Sequence, residues 1–103
     1  MTHAIFAILH ERLGEPDKAY QSFKGGYTPN MRAPFGVIAE TATGNNPYFA
    51  TGAGGMLQAM LNGFGGLEIT PTGITQLKVK LPAKWKSLTI TGVGVDRKTY
   101  IVK

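Results

Sequence analysis

The spacing of the hydrophobic residues changes once along this chain, near Gly66, and this change constrains the fold more than any other feature. In the periodic stretches before Gly66, apolar residues recur every three or four positions, as in amphipathic helices; after Gly66 they alternate with polar residues, as in half-buried strands. Helices followed by strands define the α+β class. We predict a helical segment with a long internal loop over residues 1–66 and an antiparallel β segment of about four strands over residues 67–103.

The helical segment is predicted to begin with a hairpin of two helices. The first spans about residues 2–13 and ends at Gly14, and the second runs from Pro16, a residue favoured in the first turn, to Lys24. The apolar stripe of the first helix consists of Ile5, Ile8, Leu9 and Leu13. A helix with such a stripe packs one face against a neighbour.

A long stretch without periodicity and one further helix complete this segment. Residues 26–52 hold prolines, glycines and asparagines in no sustained pattern, and loops of that length in compact domains tend to be functional. A short helix is predicted over residues 54–62, with Gly63 as its stop. Its predicted buried side consists of Leu57, Met60, Leu61 and Phe64.

The β segment is predicted to form antiparallel strands joined by turns. The predicted strands cover residues 67–69, 75–81, 88–95 and 99–102. Lys78 and Lys80 alternate with apolar residues, which is typical of the solvated side of a strand whose lysines discourage edge pairing. Trp85, in the connector between the two pairs, is predicted to be a core anchor for the sheet.

The composition is that of a small globular protein with an uneven charge. The chain has 103 residues, 43 % hydrophobic and 17 % charged, which allows one domain at most. Of its net charge of +5, the excess lies in residues 71–103, which hold seven basic side chains and one acidic. Because those lysines suit a solvated strand, we expect no nucleic-acid partner.

Several classes of protein are not expected from this sequence. The absence of cysteine excludes disulfides, thiolate metal sites and a cysteine nucleophile. His3 and His10 have no third ligand nearby, so no metal site is expected, and no nucleotide-binding motif is present, so we expect no cofactor. No apolar run is long enough for a membrane span, and the first residues lack a signal-peptide pattern, which leaves the compartment undetermined.

One carboxylate stands out in the long loop. Glu40 is the only acidic residue between Asp17 and Glu68, and it precedes a glycine-rich helix start. A loop carboxylate near a helix N-terminus can stay ionised and accept a proton from water, which is the task of a general base. The simpler interpretation is a solvated or capping residue.

The helix start after Glu40 offers polar groups to a ligand. Thr51, Gly52, Gly54 and Gly55 would present a hydroxyl and unpaired backbone N–H groups, which suit an anion. The alternative is that the glycines allow close helix packing and that Thr51 only caps the helix. The aromatic residues Phe35, Tyr48 and Phe49 either stack on sugar rings or pack in the interior.

The segment from Pro34 to Leu67, PFGVIAETATGNNPYFATGAGGMLQAMLNGFGGL, carries a resemblance to a known family. It resembles the late region of the catalytic domain in glycoside hydrolase family 65, the acid trehalases and glucosyl-hydroxylysine glucosidases. There a glutamate precedes an F-x-T-G-x-G-G-x-L-Q helix start and a G-F-x-G-L exit. The resemblance implies the end of a toroid of six helical hairpins, followed by the start of a C-terminal β-domain.

The resemblance also implies an activity and site residues. Glu40 would be the general base in inverting hydrolysis of an α-glucoside, whereas the general acid lies upstream in the family and has no counterpart here. The sugar or an anion would lie near Tyr48, Phe49 and the residues Thr51, Gly52, Gly54 and Gly55. A fragment without its acid would be inactive alone or nearly so, its partner in the full-length parent would be a carbohydrate, and its exposed helical hairpin would self-associate.

Two alternatives remain open from the sequence. Phosphorylases of the same family hold phosphate at this helix start, but they carry a histidine two residues before the hydroxyl, where this chain has Phe49. Hydrolysis is therefore favoured over phosphorolysis. The alternative from another class is a small non-catalytic binding or assembly module that uses its helical hairpin or its basic strands.

Overall fold

The helices follow the order that the sequence predicts. A computed structural model describes residues 2–33, 36–39, 41–43 and 50–103. Helix α1 spans Thr2–Arg12, α2 spans Pro16–Tyr27, and α3 spans Ala50–Gln58 and continues as a π-helical segment, Ala59–Phe64. The third helix thus begins four residues earlier than predicted and ends at Phe64, just beyond the predicted stop.

Helices α1 and α2 form the predicted hairpin. Gly14 turns the chain with a φ of +75°, a value that glycine adopts without strain, and its N–H donates to the Glu11 carbonyl. Pro16 lies in the first turn of α2, where its missing N–H costs no hydrogen bond. The hairpin is therefore determined by local residues on both sides of the turn.

The long loop contains more regular structure than the sequence predicts. A 3-10 turn, Thr28–Asn30, leads into strand β1, Met31–Arg32, which pairs antiparallel with β2, Val37–Ile38. Strand β2 lies against α3. The chain is thus held in a defined hairpin just ahead of Glu40.

The described strands form three separate antiparallel pairs rather than one sheet of four. The second pair is β3, Leu67–Thr70, with β4, Gly73–Gln76, and the third is β5, Leu88–Val93, with β6, Lys98–Val102. Helices and antiparallel strands together confirm the α+β class.

The strand predicted over residues 75–81 ends early, at Gln76. Leu77 donates its N–H to the Gly66 carbonyl at 2.8 Å, and no described strand pairs with the chain beyond it. The alternation of burial nevertheless continues, because Lys78 and Lys80 are exposed while their apolar neighbours are half-buried. The sequence pattern therefore predicts the faces of this segment correctly, but not its pairing.

Aromatic rings join the helices to the connector before β5. Phe64 is fully buried, and its ring lies 5.4 Å from that of Phe23 and 4.8 Å from that of Trp85. Tyr20 packs edge-on against Trp85 at 5.5 Å. These ring contacts of Trp85 are with helical residues, so it anchors the connector to the helices; its role for the strands stays a prediction.

The predicted buried faces of α1 and α3 are only partly confirmed. The buried residues of α1 are Ala4, Ala7 and Glu11, and the first two form a core cluster with Ala59. The predicted stripe of α1 is mostly exposed, with Leu13 at 71 %, and Leu57 and Leu61 of the third helix are also exposed, whereas Phe64 is fully buried as predicted. Short side chains at the contact let the helix axes approach closely.

Candidate active site

The central residue of the predicted site lies outside the described part of the structure. Glu40, Tyr48 and Phe49 all fall in the undescribed positions, as does Phe35. The residues on both sides of Glu40 and the glycine-rich helix start are described. They show how the chain positions this region.

The chain entering Glu40 is held by Asn30. The N–H of Ala39 donates to the Asn30 carbonyl at 2.8 Å, and the Asn30 side-chain Nδ2 donates to the Ala39 carbonyl at 3.0 Å. Ala39 is fully buried. Both backbone polar groups of the residue before Glu40 are thus paired with one residue of the 3-10 turn.

The chain leaving Glu40 is held by Arg32. One guanidinium nitrogen, Nη2, donates to the carbonyls of Thr41, at 3.0 Å, and Ala42. The other, Nη1, donates to the carbonyls of Pro29, at 3.2 Å, and Met31, at 3.1 Å. A single side chain therefore ties the start of the β1–β2 hairpin to the two residues after Glu40.

Sequence reasoning missed both Asn30 and Arg32. Their partners among the bonds described above are peptide carbonyls and an N–H group, and such bonds leave no pattern of complementary side chains in the sequence. One signal was present, since Arg32 is the only basic residue between Lys24 and Lys78. An isolated arginine in a loop of polar and small residues is a reasonable candidate for holding backbone in place.

The predicted ligand-binding residues of α3 lie in different surroundings. Thr51 is exposed as the second residue of the helix, so it does not occupy the capping position before the first turn. Gly52 is half-buried in the same turn. The first N–H groups of any helix lack intrahelical partners, so this turn presents donors.

The two later glycines of α3 differ in what a side chain would meet. Among the described residues, a Cβ at Gly54 would have no atom within 4 Å, whereas a Cβ at Gly55 would lie 3.2 Å from that of Ala4. Gly55 thus has the packing role that the sequence left as an alternative. No described residue packs against the Gly54 position, as a ligand-contacting position requires.

The third helix adds no charge of its own to this region. Residues 50–64 contain no ionisable side chain. Within the described ranges, no three His, Cys, Asp or Glu side chains are grouped to hold a metal ion, and no helix is long and apolar enough to cross a membrane. A cavity of about 320 Å³ lies between α2 and residues 82–84, and its lining includes none of the predicted site residues.

Comparison with known proteins identifies carbohydrate-active enzymes as relatives. No family model matches the chain. A kojibiose hydrolase from Mucilaginibacter mallensis is 65 % identical over 103 residues, all of this chain and 15 % of that protein. A protein-glucosylgalactosylhydroxylysine glucosidase from Dictyostelium discoideum is 32 % identical over 90 residues, 78 % of this chain and 13 % of that protein. A kojibiose phosphorylase from Thermoanaerobacter brockii is 33 % identical over 86 residues, 82 % of this chain and 10 % of that protein.

These relatives confirm the resemblance found in the motifs. The chain is homologous, along its whole length in the first case, to one segment of glycoside hydrolase family 65 proteins. It spans 15 % or less of the length of each of the three. The chain therefore shares with them the sequence of one segment. That similarity does not by itself establish the activity of a whole protein.

Proposed function

We propose that this chain is a segment of a longer inverting α-glucosidase and that it supplies the general base, Glu40. The observation that carries the proposal is the identity of 65 % along the entire chain with a kojibiose hydrolase. The anchored backbone on both sides of Glu40 supports it, since a catalytic base must be held in one position. Kojibiose is the substrate to test first.

The chemistry requires a second carboxyl group from elsewhere in the longer protein. In inverting hydrolysis an acid protonates the leaving oxygen while a base, roughly 6.5–9.5 Å away, activates water on the opposite face of the sugar ring. Glu40 takes the second role. With its acid outside residues 1–103, the chain alone is proposed to have little or no activity.

The residues of α3 are proposed to contact the sugar rather than the reacting water. The exposed hydroxyl of Thr51 and the exposed position of Gly54 would face the pocket, and the half-buried Gly52, on another face, would offer only its backbone N–H in the first turn. Tyr48 and Phe49 would stack on the sugar rings. Gly55 is proposed to act through packing alone.

A Glu40→Gln change in the full-length protein tests this function. We expect kcat on kojibiose to fall by about 10²–10⁴-fold, because an amide cannot accept the proton of the attacking water. Glu68→Gln is the matched control, since it also removes one carboxylate but lies on β3, and it should keep full activity. Wild-type turnover by Glu40→Gln would overturn the proposal, because the base would then lie elsewhere in the protein and residues 1–103 would serve binding or assembly only.

Phosphorolysis is the second candidate, because a kojibiose phosphorylase is among the relatives and the first turn of α3 suits an anion. Hydrolysis is favoured by Phe49, which stands where the phosphorylases carry histidine. Turnover with and without inorganic phosphate separates the two. Free glucose at an equal rate in both supports hydrolysis, and phosphate-dependent glucose 1-phosphate supports phosphorolysis.

We also propose that the isolated chain self-associates. Leu9 on α1 and Leu57 on α3 are among the exposed large apolar residues. In a longer protein such faces would be covered by further helices. Without them, a second copy of the chain provides the available apolar surface.

A further inference from the structure

We propose that Arg32 is a positioning residue for Glu40, acting through the peptide carbonyls that follow it. The inference rests on the proposed function of Glu40 as the base. It adds a residue to the site that neither the motif nor the relatives' names assign.

Among the described residues, the backbone after Glu40 belongs to no regular element. Thr41, Ala42 and the residue after them belong to no described helix or strand, and all three are exposed. Water can satisfy exposed carbonyls but does not fix their position, so a side chain that donates to them adds a positional restraint. Arg32 does this at Thr41 and Ala42.

The guanidinium group of Arg32 is suited to holding several backbone carbonyls. Its planar fork carries five N–H donors and no acceptor, so it can hold several carbonyls at fixed angles. Arg32 donates to carbonyls on both arms of the loop. Hydrogen bonds from a charged donor are also about twice as strong as neutral ones. A lysine ammonium would keep the charge but lose the fixed geometry.

The chain before Glu40 is also held by hydrogen bonds. The reciprocal hydrogen bonds between Asn30 and Ala39 hold the residue before the base. Arg32 is two residues from Asn30, in β1, and is paired with Val37 in the β1–β2 ladder. The anchor after Glu40 therefore comes from β1, directly after the 3-10 turn that holds the anchor before it.

The test compares full-length variants on kojibiose. Because a shift of about 1 Å in a catalytic group can cost about 10²-fold in rate, we expect Arg32→Ala to lower kcat by about 10- to 100-fold with KM within about twofold of wild type. The kcat of Arg32→Lys should lie between those of Arg32→Ala and the wild type. Arg12→Ala is the matched control, because Arg12 also donates from a guanidinium to a backbone carbonyl, that of Asn62, and it should keep wild-type kcat.

A double variant separates positioning from general destabilisation. If Arg32 acts through Glu40, then Arg32→Ala should change the residual rate by less than about twofold once Glu40→Gln is present, because effects of residues that act as a unit are not additive. An α-glucosyl fluoride, with its good leaving group, keeps these slow variants measurable. Equal losses from Arg32→Ala in both backgrounds would show a merely structural role and overturn the inference.

The two proposals fail in distinguishable ways. A large loss in Glu40→Gln with wild-type kcat in Arg32→Ala overturns the positioning role alone. Full activity of Glu40→Gln overturns the proposed function and, with it, the role of Arg32. Should Arg32→Ala not fold, Arg32→Lys takes its place in every comparison, with a wild-type kcat again overturning the role.

Discussion

The carboxyl group of Glu11 is buried, which disfavours its ionised form. It is 2 % exposed, and neither carboxyl oxygen has a hydrogen-bond partner among the described residues. Burial raises its pKa from 4.5 to about 7. Glu11 therefore retains its proton in the folded chain at pH values where an exposed glutamate has lost it.

The charged groups on the elements around Glu11 do not offset its burial. Helix α2 carries Asp17, Lys18 and Lys24, all exposed, and Lys18 pairs with Glu15 at 2.7 Å. On α1 itself, His10 faces Glu15 at 3.7 Å, and Arg12 faces Glu68 at 3.8 Å. None of these described groups forms an ion pair with Glu11, so burial is the cause of the shift.

This shift predicts that the chain loses stability as pH rises. With a folded pKa of about 7 above an unfolded value of 4.5, the folded state binds more protons between them, so the contribution of Glu11 is complete below pH 4.5 and lost by about pH 7. The loss is about 3 kcal/mol at 1.36 kcal/mol per pKa unit. Urea unfolding between pH 4 and 8 measures it.

Glu11→Gln is the variant that isolates this effect. It keeps the shape but cannot ionise, so the difference in unfolding free energy between it and the wild type should change across that pH range. Glu15 provides an internal contrast, because its Lys18 partner lowers its pKa, and it therefore contributes stability that is lost at acid pH in both proteins. If the unfolding free energies of wild type and Glu11→Gln changed in parallel with pH, the raised pKa of Glu11 would be contradicted.

At the level of elements, local residues allowed the helices and turns to be predicted, but not their packing. Gly14 and Pro16 determine the first hairpin, and the terminal strands appear within two residues of their predicted ends. The predicted buried face of α1 was mostly wrong and that of α3 was right for Phe64 but not for Leu57, because periodicity shows that a helix has an apolar face but not which neighbour covers it.

The candidate site was predictable only where it follows a motif. Glu40 and the glycines of α3 could be found from the spacing of residue types. Asn30 and Arg32 could not, because they bind peptide groups, whose positions depend on the fold. Such interactions become visible only when the two arms of the loop are placed together.

The turn from the π-helical segment into β3 predicts a sharp difference between glycines. Gly66 has a φ of +68°, and a Cβ there would lie 2.7 Å from the Leu77 carbonyl oxygen, so Gly66→Ala should destabilise the chain by about 2 kcal/mol or more. Gly54→Ala, in open space within a helix, should stabilise it by about 0.5–1 kcal/mol. Denaturant unfolding of both variants measures the signs of the two stability changes. Equal changes in unfolding free energy would contradict the prediction.

The whole molecule leaves large side chains on its outer surface. Beyond α1 and α3, exposed apolar residues include Ile69 on β3 and Val95 in the terminal turn. Single exposed residues are ordinary, whereas several on neighbouring helices mark a surface that binds something. This is the expected surface of a segment that corresponds to 15 % of a homologous enzyme.

The proposed self-association can be measured directly. The mass of the isolated chain in solution should rise with concentration, and a Leu9→Gln, Leu57→Gln double variant should shift it toward the monomer by removing apolar surface from both helices. Val95→Gln is the control, since it removes an exposed apolar side chain away from them. A monomer at every concentration, or dissociation by Val95→Gln alone, would argue against the helical interface.

The aromatic stack around Phe64 gives the chain an optical reporter. Trp85 is its only tryptophan, and it touches Phe64 from the helical segment and Tyr20 from α2. Separating residues 1–66 from residues 67–103 would break these ring contacts, so neither part is expected to keep its packing alone. Excitation energy absorbed by Tyr20 will be transferred to the Trp85 indole while the two segments are packed together. The emission maximum of Trp85 will shift when the segments separate.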